Sequence, residues 1–99
     1  MFRHVVVMRW NDGATAEQRR AVVDGLELLP PLIPEIRGFR VGVDLGLEPE
    51  RNSDLVVVAD FDDFDGYVAY RDHPVHQDVI ARTIRPILAS RAAVQHEFE

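Results

Sequence analysis

The chain has 99 residues, of which 46% are hydrophobic, and a formal net charge of −6. That length and apolar content describe one folded domain over residues 1–99 and exclude a disordered chain. The acidic balance and scattered arginines give no electrostatic basis for a nucleic-acid or membrane partner, the lack of Lys excludes Schiff-base chemistry, and the lack of Cys excludes thiol nucleophiles and sulfur-ligated metals.

The first predicted element is a strand over Phe2–Trp10. Phe2, His4, Val6, Met8 and Trp10 alternate with Arg3, Val5, Val7 and Arg9, so both faces are apolar enough to be covered. Asn11-Asp12-Gly13 is a turn, and Thr15 to Gln18 match a capping box that opens a helix through Val22, Leu26 and Leu29. Pro30, Pro31 and Pro34 end that helix and its tail. A second strand is expected over Arg37–Leu47, then a polar loop over Gly46–Ser53. A third strand over Asp54–Phe61 contains the apolar run Leu55 to Ala59, which reads as buried on both sides. Asp62 or Asp63 caps a short helix to about Arg71, a second helical segment runs from Pro74 to about Leu88, and Ala92–Phe98 forms the last strand.

The order β-α-β-β-α-β predicts an α+β, ferredoxin-like fold: a four-stranded antiparallel sheet with helices on one face. The other face would expose apolar side chains from several strands, and a second copy of the sheet is the simplest cover. A homodimer is therefore expected. The apolar run at the N-terminus is too short for a signal peptide, and no stretch approaches the ~20 apolar residues of a membrane helix. With the missing Cys, this fits a cytoplasmic protein with no membrane partner.

The chemistry-bearing stretch is Tyr70-Arg71-Asp72-His73-Pro74-Val75-His76. Pro74 suits the first helical position, which places His73 at or near the N-cap and His76 in the first turn. The helix N-terminus disfavours imidazolium, so a neutral His76 could serve as a general acid or base. Equally, it reads as a structural histidine bonded across to the sheet. Tyr70 could donate to a developing enolate oxygen, or be a core aromatic. His73 reads chiefly as a structural cap of the Pro74 turn. His4 and His96 lie on strands expected to be antiparallel neighbours, close together and on one face. Arg3, Arg9 and Arg40 could hold a substrate carboxylate, although pairing with Asp or Glu is the commoner use. The acidic residues Asp60, Asp62, Asp63 and Asp65 lack the spacing of a calcium loop and read as a solvated helix start. No metal spacing, nucleotide-binding glycine pattern or heme or flavin signal is present, so no cofactor is expected.

Arg3 to Trp10, Ile33-Pro34-Glu35-Ile36, Val41-Gly42, Tyr70-x-x-His73-Pro74-x-His76 and Ile84-Arg85-Pro86 together resemble the stress-responsive A/B barrel domains, also called Dabb or dimeric α/β barrel proteins. The likeness runs in order through nearly the whole chain. It implies a ferredoxin-like monomer whose sheet pairs with its mate to form a barrel. Many members have no assigned activity, some plant members are stress-induced, and some are polyketide cyclases that close a ring by intramolecular aldol condensation. Tyr70, His76 and His4 match the positions that carry that chemistry. The rest of the pocket is not carried over from the resemblance; because His76 projects from a helix start and His4 from the sheet, one apolar cavity between those layers is expected to collect both, with Val6 and Met8 as its floor and Tyr70 as one wall. His73 and His96 are further candidates for contact with substrate.

Two functions follow. One is a cofactor-independent enzyme, polyketide cyclase-like or performing related lyase or isomerase chemistry, on a small apolar or keto-type ligand. The other is a non-catalytic, stress-associated or ligand-binding dimer with structural histidines. A pocket that reaches His4, Tyr70 and His76 favours the first, and helices packed solid onto those side chains favour the second.

Overall fold

Phe2–Trp10, apolar on both faces, forms β1, one of the two inner strands of the sheet and bonded on both sides. The computed structural model describes all 99 residues. Strand order is β2-β3-β1-β4, where β2 is Gly38–Val43, β3 is Leu55–Phe61 and β4 is Leu88–Glu97, and every pairing is antiparallel. All helices lie on one face: α1 Ala16–Glu27, the single turn α2 Leu29–Leu32, α3 Phe64–Asp72 and α4 Pro74–Val79. No helix is long and apolar enough to cross a membrane.

Local chemistry sets these boundaries. Thr15 Oγ1 accepts from the Gln18 backbone N–H at 3.1 Å and Gln18 Oε1 accepts from the Thr15 N–H at 2.9 Å, a complete capping box. Asp63, not Asp62, caps α3 by accepting from the Gly66 N–H at 2.9 Å. Pro30 and Pro31 do not simply end a helix. They occupy the first turn of α2, where N–H groups have no intrahelical partner to lose.

Three expected boundaries are corrected. The second strand stops at Val43 rather than Leu47, because Asp44 bonds the Gly46 N–H at 2.9 Å and Gly46 turns the chain with φ of 78°. The helix from Pro74 does not reach Leu88. After Val79 it widens into a π-helical segment over Ile80–Ile84, where the Arg85 N–H reaches back five residues to the Ile80 carbonyl at 2.9 Å. The last strand begins at Leu88 rather than Ala92, since its ladder follows β1 as far as Trp10 across an irregularity at Arg9/Trp10.

The core lies between sheet and helices. Val6, Met8 and Trp10 of β1 and Leu55, Val57, Ala59 and Phe61 of β3 meet Val22 and Leu26 of α1, Leu29 of α2, and Tyr70, Val79 and Ile84. The opposite sheet face presents Val5, Val7, Val56 and Val58 half-buried and Val94 63% exposed, so β3 is fully buried on one side only. Across this face Arg3 holds Asp60 through two bonds of 2.7 and 2.9 Å and lies over the Phe98 ring at 4.1 Å.

Two adjacent leucines test this core. Leu29 is 0% exposed and Leu28 is 62% exposed. Urea unfolding of Leu29→Ala should show a loss of about 2–5 kcal/mol from cavity formation. Leu28→Ala should stay within about 0.5 kcal/mol of the parent chain.

Candidate functional site

The α3–α4 junction builds one side of the site. His73 caps α4: its Nδ1 accepts from the Val75 N–H at 3.1 Å. Pro74 then starts the helix and brings the His76 ring against Tyr70, with centroids 4.1 Å apart. The Arg71 carbonyl belongs to the last turn of α3, where it lacks an intrahelical donor. His76 Nδ1 lies 3.0 Å from this oxygen, and Gln77 Nε2 donates to it at 2.6 Å. A carbonyl oxygen only accepts, so His76 carries its proton on Nδ1 and its lone pair on Nε2.

The sheet supplies the other side. His4 faces the helices and is 5% exposed. Gln95, directly opposite on β4, donates from Nε2 to His4 Nδ1 at 3.1 Å. A ring nitrogen that accepts must be unprotonated, which leaves the proton of a neutral His4 on Nε2. Between the two histidines stand Tyr67, 5.0 Å from the His4 ring, and Tyr70, 6.4 Å from Tyr67. The two imidazoles thus hold opposite tautomers. His76 offers a lone pair at Nε2, and His4 offers an N–H.

A cavity of about 310 Å³ lies between these groups. Val6, Met8, Val57, Leu26, Ile80 and Ile84 form its apolar lining, and His4, Tyr67, Tyr70, His76, Gln77, Arg71 and Arg91 supply its polar atoms. The volume lies at the lower end of small-molecule sites. The helix layer is therefore not packed solid onto the histidines.

Burial tunes the site. The His4 pKa is pushed down to about 4, first by burial and then by the nearby Arg91 and His76. Burial also lowers His76, with the Arg71 carbonyl opposing the shift and His73 adding to it. Burial, then Tyr67, raises Tyr70 well above the usual phenol range. Near neutral pH the cavity therefore holds neutral imidazoles and a protonated phenol.

Among the sequence candidates, the structure brings His4, Val6, Met8, Tyr70 and His76 to this cavity. It does not bring His96 or His73. His96 pairs with Arg3 and His4 with Gln95, so His96 lies on the opposite face, contrary to the expectation of a shared one. A register offset of one residue inverts every side chain of a strand. The His73 ring is committed to its cap. No three His, Asp or Glu side chains come together in a group that could hold a metal ion. Sequence reasoning missed Tyr67, Gln95, Gln77 and Arg91. Tyr67 precedes Tyr70 by three residues on α3, and that helical spacing was the available signal.

The family model described as Stress Responsive A/B Barrel Domain (Dabb) matches residues 2–98. Among solved structures, the chain is similar to a dimeric ferredoxin-like protein of unknown function from Thermobifida fusca, with 45% identity, a TM-score of 0.88, and coverage of 98% of this chain and 90% of that one. It is also similar to a dimeric ferredoxin-like protein from Bacteroides fragilis, with 26% identity, a TM-score of 0.84 and coverage of 98% and 95%. A hydroxynitrile lyase from Passiflora edulis shares the fold at 17% identity, with a TM-score of 0.83 and coverage of 99% and 93%. No curated protein matches the chain.

The buried, neutral state of His4 makes stability depend on pH. Folded His4 stays neutral down to about pH 4. In the unfolded chain the same ring takes a proton near pH ~6.5. Between those values the unfolded state binds more protons, so stability falls as pH falls through this window. Urea midpoints at steps from pH 7 to pH 4 should therefore decline less steeply in His4→Gln than in the parent chain. Equal slopes would place the His4 pKa near its ordinary value.

Proposed function

Because the chain belongs to the stress-responsive A/B barrel domain (Dabb) family, we propose that it is a homodimer and a cofactor-independent enzyme that moves a proton on a small keto-type substrate, by aldol-type cyclisation or related lyase or isomerase chemistry. One observation carries this reading: two imidazoles of opposite tautomer and a buried phenol share one apolar cavity.

Each group has a role suited to its state. His76 Nε2 takes the proton from the carbon beside the substrate carbonyl. The carbonyl oxygen gains charge as the enolate forms, and the Tyr70 hydroxyl donates a hydrogen bond to it. A raised Tyr70 pKa suits this, since the phenol stays a donor. The His4 N–H assists or orients the same oxygen. In an aldol step the enolate carbon then attacks a second carbonyl of the substrate, and the proton held on His76 passes to the new alkoxide. Apolar walls exclude water and strengthen each hydrogen bond.

Dimerisation rests on the open sheet face. Val5, Val7, Val56, Val58 and Val94 form an apolar field there, and two solved relatives are described as dimeric. Sheet-to-sheet packing would cover it with the same surface of a second copy. Light scattering should give about twice the 11.3 kDa chain mass, and Val58→Asp should shift the protein toward monomer. A folded monomer at micromolar concentration in the parent chain would refute this arrangement.

The catalytic reading is tested by deuterium exchange at the carbon beside the carbonyl, using 4-oxo-4-phenylbutanoate or a poly-β-keto thioester in D₂O. The parent chain should accelerate exchange over buffer. His76→Ala and Tyr70→Phe should each lower the rate by roughly 10²–10⁴-fold with the dimer intact. Exchange unchanged in both variants, or absent in the parent chain, would leave a ligand-binding dimer with structural histidines.

A further inference from the structure

Eight of the eleven arginines of this chain have a partner within it. With 17 acidic side chains available, Arg3, Arg19, Arg20, Arg37, Arg51, Arg71 and Arg82 each hold a carboxylate. Arg9 donates to the Asn52 and Pro49 carbonyls. Arg40, Arg85 and Arg91 have no carboxylate partner, and Arg91 alone of these lines the cavity.

Its position follows from register. Arg91 stands opposite Met8 on β4, four residues before Gln95, so its side chain falls on the helix-facing side, on the same face as His4. The other cavity arginine is different: Arg71 is bonded to Asp72 at 2.9 and 3.2 Å, so its charge is matched. Arg91 is exposed to solvent, and it therefore places a positive charge with no carboxylate partner at the rim of the chamber, whose other charged side chain, Arg71, is paired. The field of Arg91 reaches the site, since it contributes to holding His4 neutral. A guanidinium there is free to pair with an anionic group on a ligand, and its planar fork fits a carboxylate through two parallel bonds.

We propose that Arg91 is a specificity-determining residue that selects substrates bearing a carboxylate, holding that group at the β4 side of the cavity while the ketone faces Tyr70 and His76. This deepens the proton-transfer reading and rests on it for the identity of the reacting carbonyl. The substrate class is then a small keto acid with an apolar body. The carboxylate anchors one end, Val6, Met8 and Ile84 flank the middle, and the carbonyl meets the donors at the other end. Charge at the far end fixes which carbonyl in a polyfunctional chain reaches His76.

The test compares 4-oxo-4-phenylbutanoate with its methyl ester and with inorganic phosphate, by NMR titration of the dimer at low salt. The acid should bind at least about tenfold more tightly than the ester, as expected for a charge-assisted pair. Arg91→Gln should reduce that preference to below about twofold, Arg91→Lys should retain only part of it because a point charge replaces the fork, and His76→Gln should retain most of it. Equal affinity for acid and ester, or a preference that survives Arg91→Gln, overturns the proposal. Phosphate binding as tight as the acid overturns the carboxylate assignment. Deuterium exchange on the same samples separates the two readings. Charge preference without exchange defeats the proton-transfer reading alone, and exchange without charge preference defeats this one alone.

Discussion

The pairing of β1 with both of its neighbours is the constraint on which the rest depends. His4 is opposite Ala59 on β3 and Gln95 on β4, so its ring is turned toward the helices and flanked by one small residue and one amide. Shifting either ladder by a single residue would put a charged or bulky neighbour beside it and turn the apolar floor toward solvent. The alternation in β1 resists such a slip, because Val6, Met8 and Trp10 must stay in the core. The same parity keeps Arg3 on the open face, where Asp60 is its direct partner on β3.

A second constraint is the break between α3 and α4. Helices end with carbonyls that need donors. Here the Arg71 carbonyl is met by His76 and Gln77 from the next helix, so one local satisfaction of backbone polarity also sets an imidazole tautomer. His73 and Pro74 make this possible by starting α4 at once. The functional and structural readings of His76 therefore do not exclude each other. Its Nδ1 side is structural, and its Nε2 side remains available.

Much of the fold was legible in the sequence because its signals are local and redundant. The capping box at Thr15, the alternation of β1 and the run Leu55 to Ala59 each specify one element without help from the others. The family resemblance was legible for the same reason, in short ordered motifs along the chain. What could not be read depends on pairing. The face of His96 follows from an offset of one residue that no local pattern in β4 reveals. The stretch Ala89-Ser90-Arg91-Ala92-Ala93 lacks the large alternating side chains that would mark a face and an early start. Arg91 was overlooked for that reason, and Gln95 with it. Tyr67 was visible as a helix residue, but its place against His4 needed the packing of α3 on β1.

The π-helical segment at Ile80–Ile84 forms one wall of the chamber through Ile80 and Ile84, and Thr83 Oγ1 donates to the Val79 carbonyl there at 2.7 Å. A π turn contains one residue more than the α turn it replaces. The wall therefore differs from a regular helix by a single codon. Deleting one residue within 80–84 would redraw the chamber wall, with only Arg85, Pro86 and Ile87 between it and the first sheet residue of β4. In evolutionary terms, such a scaffold can vary the shape of its chamber by length as well as by substitution, at a stretch of wall that carries no sheet pairing.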